Sequence, residues 1–392
     1  MKSWQLDETS TLPLDGLAGS ICGRVWRPDV EGSSVVSIRA DGVYDISAEF
    51  ATMRDLCESS EPAAAARSAR GERLGTLAEL LANTPAERRD SAKPWLLAPI
   101  DLQAIKAAGV TFAASMIERV IEERARGQST AAAAIRADLS RLIGADLLTL
   151  KPGSPAAMRL KEELIARGGW SQYLEVGVGP DAEFFTKSQP MSAVGAGAEA
   201  GFHKDSVWNN PEPEIVLVVS SQGAIVGASL GNDVNLRDFE GRSALLLGMA
   251  KDQNASCAIG PFLRFFDATF DLDDVRRAEV SLRVEGEDGF FLEGGSSMAR
   301  ISRDPAELVG QLIGPSHRYP DGAALFLGTM FAPVADRDEA GKGFTHKVGD
   351  IVSVSADKLG RLTNRMRHCH DCPPWRFGAA HLMRNLARRG LI

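Results

Sequence analysis

Glu212 and Glu214 stand one residue apart around Pro213, immediately before the apolar run Ile215–Val219. In an extended strand alternate side chains share a face, so the two carboxylates point the same way, roughly 7 Å apart at about 3.3 Å per residue. Pro213 faces the other way and, lacking an N–H, belongs at a strand start or edge. Carboxylates are costly to carry toward a core unless positive charge meets them. Residues 220–223, Ser-Ser-Gln-Gly, read as a tight turn. That turn sets Glu214 opposite Ser229 and Glu212 opposite Gly231, and it delivers Asp233 beside the pair within a slip of a residue or two. Three carboxylates with no Cys or His nearby make a hard oxygen site that suits Mg²⁺ best, with Mn²⁺ or Ca²⁺ as other occupants. On the residues alone, three solvated surface acids remain the other reading.

The elements that must position these groups follow from patterning. Residues 1–95 read as a small β-rich domain, with ICGRVW, SVVSIRA and GVYDIS as short strands broken by Pro, Gly, Asp and Ser. Residues 96–392 form the larger, catalytic unit. Within it the stretch of about 119–170 is helical in character: TFAASMIERVIEERARG stops at a glycine, and GSPAAMRLKEELIARGG carries a Ser cap and Pro in its first turn. Beyond residue 170, EIVLVV, AIVGASL, AEVSLRVEG, AALFLG and DIVSVSA alternate with tight turns. The fold class is therefore α+β, a rolled or barrel-like sheet with a helical insert.

Composition excludes several functions. The chain of 392 residues carries a net charge of −8, with 44% hydrophobic and 24% charged residues. An acidic balance does not attract phosphate backbones or anionic lipid, so neither a nucleic acid nor a membrane is an expected partner. The amino terminus lacks the apolar core of a signal peptide, which makes the cytoplasm the default. Five cysteines are too few for a disulfide framework. His368–Cys372, in the order His-Cys-His-Asp-Cys, has the residue types of a zinc site but reads as a loop with incidental Cys and His. His203 reads as a surface or hydrogen-bonded histidine.

The blocks PEPEIVLVV, GNDVNLRD, LLLGMAKDQNASCAIGPF, GAALFLGT and VGDIVSVSADKLGRLTN, taken together and in this order, resemble the fumarylacetoacetate hydrolase family over about residues 100–365. The resemblance implies a metal held by Glu212, Glu214 and Asp233, and an active-site lysine at Lys251. It places Arg237 and Thr329 near the substrate or its supporting shell, and Glu240 where many relatives have glutamine. Hydrolases of the family carry a G-x-N-Y-x-x-H-x-x-E block whose histidine activates water. The corresponding stretch here, GVTFAASMIE at 109–118, has Ser115 in that place and keeps Glu118. A serine hydroxyl is no base without one beside it. GVTFAAS, the helical insert, FFTKS and the tail CPPWRFGAAHLMRNLARRGLI are most similar to one branch, the bacterial 2-keto-3-deoxypentonate dehydratases of D-xylonate or arabinonate breakdown, nearest the D-xylonate type.

That branch implies a 2-keto acid substrate, a cation acting as Lewis acid toward an enolate, and loss of water to give 2-oxoglutarate semialdehyde. An acylpyruvate-type hydrolase or a 2-keto acid decarboxylase is the alternative. Lys251 is expected to offset the enolate's charge, with Glu183 as the first choice of base and Glu118 as the second. Ser115 is expected to orient a substrate hydroxyl. Lys187, four residues after Glu183, is a candidate for substrate contact, with a salt bridge as the reading slightly favoured over it. Arg237, Glu240 and Thr329 complete the substrate-binding set. The family expectation is a homodimer or higher homo-oligomer. Part of the insert is expected to close over bound substrate.

Overall fold

The computed structural model describes residues 4–142, 150–166, 168–331, 333 and 335–392, with side chains of 137–142 excepted. In the first third of the chain the strands are β1 (Ile21–Arg27), β2 (Gly32–Arg39), β3 (Gly42–Asp45), β4 (Glu72–Gly75), β5 (Trp95–Leu97) and β6 (Ala104–Gly109). After the helices come β7 (Glu183–Ser188), β8 (Glu199–Phe202), β9 (Asn209–Asn210), β10 (Pro213–Val219), β11 (Ile225–Asp233), β12 (Asn235–Leu236) and β13 (Cys257–Phe265). The last are β14 (Glu279–Glu285), β15 (Phe291–Ser297), β16 (Ala323–Phe326), β17 (Ile351–Ala356) and β18 (Gly360–His368).

Eleven strands make one sheet in the order β4-β3-β2-β1-β13-β11-β10-β16-β6-β7, with β5 added on β1. A second sheet runs β15-β14-β17-β18-β8, and β12 pairs with β9. Strands β10, β11 and β13 face β14, β17 and β18, so the two sheets enclose the main core, which includes Ile215, Leu217, Leu230, Phe262, Leu282 and Val354. Burial on both faces explains why β10 and β13 are apolar almost throughout. The α+β expectation holds. The sheet runs across residues 95 and 96, since Cys22 of β1 pairs with Leu263 of β13.

Helices Ala113–Ala125, Ser129–Leu142, Pro155–Ala166 and Gln172–Val178 pack on one another, the first against the second and fourth and the third against the fourth. They are packed through Val110, Met116, Val120, Ile121, Ala157, Leu164 and Leu174. Residues 143–149 and 167 of the expected insert lie outside the described residues.

The hairpin β10–β11 corrects the expected register by two residues. Gly231, not Ser229, stands opposite Glu214, and Pro213 stands opposite Asn232. Ser220 N–H donates to the Ala224 carbonyl across a wider turn, and the ladder shifts between Val218 and Val219. A bulge of this kind cannot be read from alternation alone. Its effect is to set Asp233 directly beside Glu212, whose carbonyl accepts from Asp233 N–H at 3.0 Å.

Candidate active site

Five strands of the large sheet end at the same edge. Strand β6 closes at Gly109, and β16, parallel to it, leads into Gly328 and Thr329. Strands β7 and β10 start there with Glu183 and Pro213, and β11 ends there at Asp233. The short helix Leu247–Lys251 brings Lys251 to the same place before β13 begins. A cleft results, lined by Gly109, Ser115, Arg119, Glu183, Glu212, Glu214, Asp233, Glu240, Lys251 and Thr329 among others. Its cavity volume is about 30 Å³, more than the roughly 10–15 Å³ of such space that one water needs. The large grooves, about 490 Å³ beside Leu74–Asn83 and about 540 Å³ beside Asp252–Trp375, lack this convergence of charge.

Glu212, Glu214 and Asp233 are all buried, and one oxygen from each lies within 4.8 Å of the others. Burial pushes Glu214 well above the ordinary carboxyl range, and the charges of Asp233 and Glu212 add to the rise. Burial works against the ionised form of Glu212 too, but Lys251 and Arg119 outweigh it and hold the group below its ordinary value. Lys251 Nζ donates to Glu212 Oε2 at 2.5 Å and to Asp233 Oδ2 at 2.9 Å. Those anions overcome its burial and keep the ammonium charged. Gly328 N–H donates to Glu214 Oε2 at 2.7 Å.

Charge is the test of whether these residues suit a cation. Around the cleft and the shell behind it stand the carboxylates of Glu118, Glu122, Glu183, Glu212, Glu214, Asp233 and Glu240. Against them stand Arg119, Arg136, Lys187, Arg237 and Lys251, two fewer. The deficit falls on Glu183 and Glu214, neither of which has an ion-pair partner among the described residues, and of the two Glu214 belongs to the three-carboxylate cluster. A divalent ion matches both the missing charge and the hard oxygen donors.

Glu183 sits over a notch. A Cβ at Gly109, its neighbour across the β6–β7 ladder, would meet Glu183 Oε2 at 2.0 Å. Burial raises the Glu183 carboxyl, with Arg119 and Lys251 opposing. Ser115 lines the same cleft, and its hydroxyl rests on the Phe112 carbonyl at 2.9 Å. Glu240 is pushed up to about 7 by burial, against the pull of Arg119 and Lys251. Arg119 Nη1 lies 2.9 Å from Glu240 Oε2 but off the line of a hydrogen bond, leaving that oxygen without a donor.

Three residues named from sequence lie one layer back. Lys187 is fully buried behind Asp233, 3.1 Å from its Oδ1, and it donates to the Lys251 carbonyl and to Ser256 Oγ. Its ammonium is outside the cleft wall, so the salt bridge accounts for it. Glu118 accepts from Arg136 at 2.9 and 2.7 Å and from Arg237 at 2.9 Å. These cations outweigh burial and lower its carboxyl, which makes it a poor proton acceptor. Arg237 also donates to Glu122 Oε1 at 2.6 Å and to the Pro333 carbonyl at 3.1 Å, and it stacks on Trp208. Thr329 lines the cleft. His203 is outside it and accepts from Asp205 N–H at 3.2 Å.

Arg119 was missed. It is bonded at once to Glu212 and Glu122, with Glu240 alongside. A signal existed: Ser115, Glu118, Arg119 and Glu122 form a polar stripe at helical spacing, on the helix face that packs toward the sheet.

Residues 185–367 match the family model described as fumarylacetoacetate (FAA) hydrolase C-terminal. A 2-dehydro-3-deoxy-D-arabinonate dehydratase of Saccharolobus solfataricus is 31% identical over 208 residues, 53% of this chain and 66% of that protein. A probable 2-keto-3-deoxyxylonate dehydratase of Haloferax volcanii is 30% identical over 192 residues, 49% of this chain and 62% of that protein. Both matches span less than two thirds of the relative's length. Among solved structures, the apo form of a 2-keto-3-deoxy-D-arabinonate dehydratase superposes with a TM-score of 0.60 at 20% identity, covering 89% of this chain and 99% of the other. The same enzyme complexed with magnesium and 2,5-dioxopentanoate gives 0.59 at 20% identity, with the same coverage of each chain. At that identity the likeness speaks for the fold. Over residues 185–367 the chain is similar in sequence to the fumarylacetoacetate hydrolase family.

Proposed function

We propose that this protein is a metal-dependent dehydratase that converts a 2-keto-3-deoxypentonate into 2-oxoglutarate semialdehyde and water. The observation that carries the proposal is the placement of Glu183, on its Gly109 notch, in one cleft with Lys251 and the Glu212–Glu214–Asp233 cluster. No histidine lines that cleft among the described residues, and Ser115 stands where a water-activating base would be needed for hydrolysis. The names of the relatives support the same substrate class.

Glu212, Glu214 and Asp233 would hold Mg²⁺, which supplies Lewis acidity toward the oxygens of a 2-keto acid. Glu183, its carboxyl raised by burial, takes a proton from the CH₂ beside the ketone. Glu183 returns that proton to the hydroxyl one carbon further on, whose carbon–oxygen bond breaks as it leaves as water. The terminal carbon then loses a proton while the carbon beside the ketone regains one, which moves the double bond outward as an enol, and transfer of the enol's O–H proton to carbon leaves the terminal aldehyde. Lys251 and Arg119 set positive charge where negative charge develops. Ser115 donates to a substrate hydroxyl, and Glu240 and Thr329 complete the wall. Glu118, Lys187 and Arg237 are positioning residues, because their polar atoms are already engaged with the protein.

A homo-oligomer is part of the proposal. Met249, on the Lys251 helix, is 55% exposed, Leu245, in the turn before it, is 95% exposed, and Val207, just before β9, is 75% exposed, which suits burial against a second copy. Among the described residues no helix is long and apolar enough to cross a membrane.

The test is incubation with racemic 2-keto-3-deoxypentonate and Mg²⁺, with the product identified by mass and by aldehyde oxidation. Faster turnover of an acylpyruvate than of the deoxypentonate would overturn the dehydratase reading.

A further inference from the structure

The segment His368–Cys372 takes no part in the chemistry above, and its side chains fall into two sets. Cys369 and Cys372 are buried, and Cys369 Sγ donates to Gln253 Oε1 at 3.2 Å. Neither thiol is among the ligand atoms that converge at this segment. His368, His370 and Asp371 turn outward, and one ligand atom from each lies within 4.8 Å of the others. His370 Nε2 is 3.4 Å from Asp371 Oδ1, and His368 Nδ1 is 3.7 Å from Asp371 Oδ2. With metal–ligand bonds of about 2.0–2.1 Å, two ligand atoms of a tetrahedral site stand about 3.3 Å apart. The two nitrogen–oxygen spacings are close to that value but run to different oxygens of Asp371, so a rotation of its carboxylate would present one oxygen to both nitrogens.

The backbone under these groups is fixed. Asp371 and Cys372 N–H both donate to the His368 carbonyl, at 2.9 and 3.1 Å. Cys369 N–H donates to the Phe202 carbonyl at 2.9 Å, and Asn254 Nδ2 donates to the Cys369 carbonyl at 2.9 Å. The His368 and His370 rings stack at 5.6 Å and 13°, and Phe202 meets His368 edge-on at 4.9 Å. The ordering cost of bringing the ligands together is therefore borne in folding, which favours binding.

We propose that His368, His370 and Asp371 form a second metal site, for one imidazole-preferring divalent ion of the Zn²⁺ class. Its donors separate it from the acidic cleft: two ring nitrogens and one carboxylate select Zn²⁺ or Co²⁺, whereas three carboxylates suit Mg²⁺. Three protein ligands leave the fourth tetrahedral position to water. The site borders the 540 Å³ groove that also contains Asp252, Gln253 and Asn254, the residues that follow Lys251.

The experiment uses the full-length chain stripped of metal and titrated with Co²⁺, with stoichiometry from calorimetry and ligand type from visible absorption. The wild type should bind one more equivalent than His370→Ala or Asp371→Asn, and Zn²⁺ should displace that equivalent. Glu214→Gln should leave it in place, which separates this site from the acidic one: failure of the acidic site would lower both counts equally and keep their difference. His370 and Asp371 side chains are each about half exposed, so the variants should keep the wild-type circular dichroism. His368→Gln serves as the second variant if either does not. Equal stoichiometry in the wild type and the variants, or no nitrogen-ligated Co²⁺ spectrum, would overturn the site.

Discussion

At the scale of single residues, the cleft depends on space as much as on charge. Glu183→Gln removes the proton acceptor and keeps the shape, so kcat should fall by about 10²–10⁴-fold with KM little changed, as read from initial rates. Gly109→Ala tests the same carboxylate from the other side. The new methyl displaces Glu183 by an ångström or more, and a loss of about 10²-fold in kcat is expected. A Gly109→Ala enzyme with wild-type kcat would show that Glu183 does not need its notch. Ser115→Ala should slow dehydration by roughly ten-fold, or about 1.4 kcal/mol, the worth of one hydrogen bond in the transition state. Much of this was legible in the sequence: strand alternation was enough to pair Glu212 with Glu214. Arg119 was not, because a buried polar stripe on a helix looks like a solvated face until the fold shows what covers it.

At the scale of elements, a buried cluster ties residues 337–346 to the start of β17. Arg337 donates to Asp350 at 2.5 and 2.9 Å, and His346 Nδ1 lies 3.4 Å from Asp350 Oδ2. Burial lowers the His346 pKa, opposed by Asp350. A histidine depressed in the folded state stays neutral while the unfolded chain takes up a proton below its ordinary value of 6.5. Stability is thus full above that pH and declines as pH falls from 6.5 toward the depressed pKa. Thermal melts between pH 8 and pH 5 should show this decline, and it should be shallower in His346→Gln. A wild-type melting temperature that is flat over that range would contradict the assignment. Sequence alone could not find this cluster, since it joins a loop with no periodicity to the start of β17. The hairpin register failed for a related reason: one bulge near the turn moved every partner, and bulges have no alternation signal.

At the scale of the whole molecule, the strands of residues 1–95 are continuous with the sheet that bears the site. The nine residues of β13 are all buried, and β1 covers that strand's edge on one side. Deleting residues 1–95 should leave an unpaired apolar edge and an insoluble product. Recovery of a soluble, active 96–392 fragment in a sedimentation assay would refute this. The individual strands of this region were readable from their residues. The long-range pairing of β1 with β13 was not, because register over that sequence distance is set by the partner and not by local pattern.

Lys251 and Lys187 make the acidic cluster a kind of ion exchanger. In the absence of a divalent cation, two ammonium groups tethered to the protein already neutralise Glu212 and Asp233, so an incoming ion competes with a resident counter-ion for these two and meets only Glu214 unpaired. Its measured affinity is then the difference between two binding energies. A site that carries its own counter-ions does not depend on the ion for its fold, in contrast to small metal domains whose folding energy is the metal's. EDTA should therefore abolish turnover while leaving the melting temperature nearly unchanged.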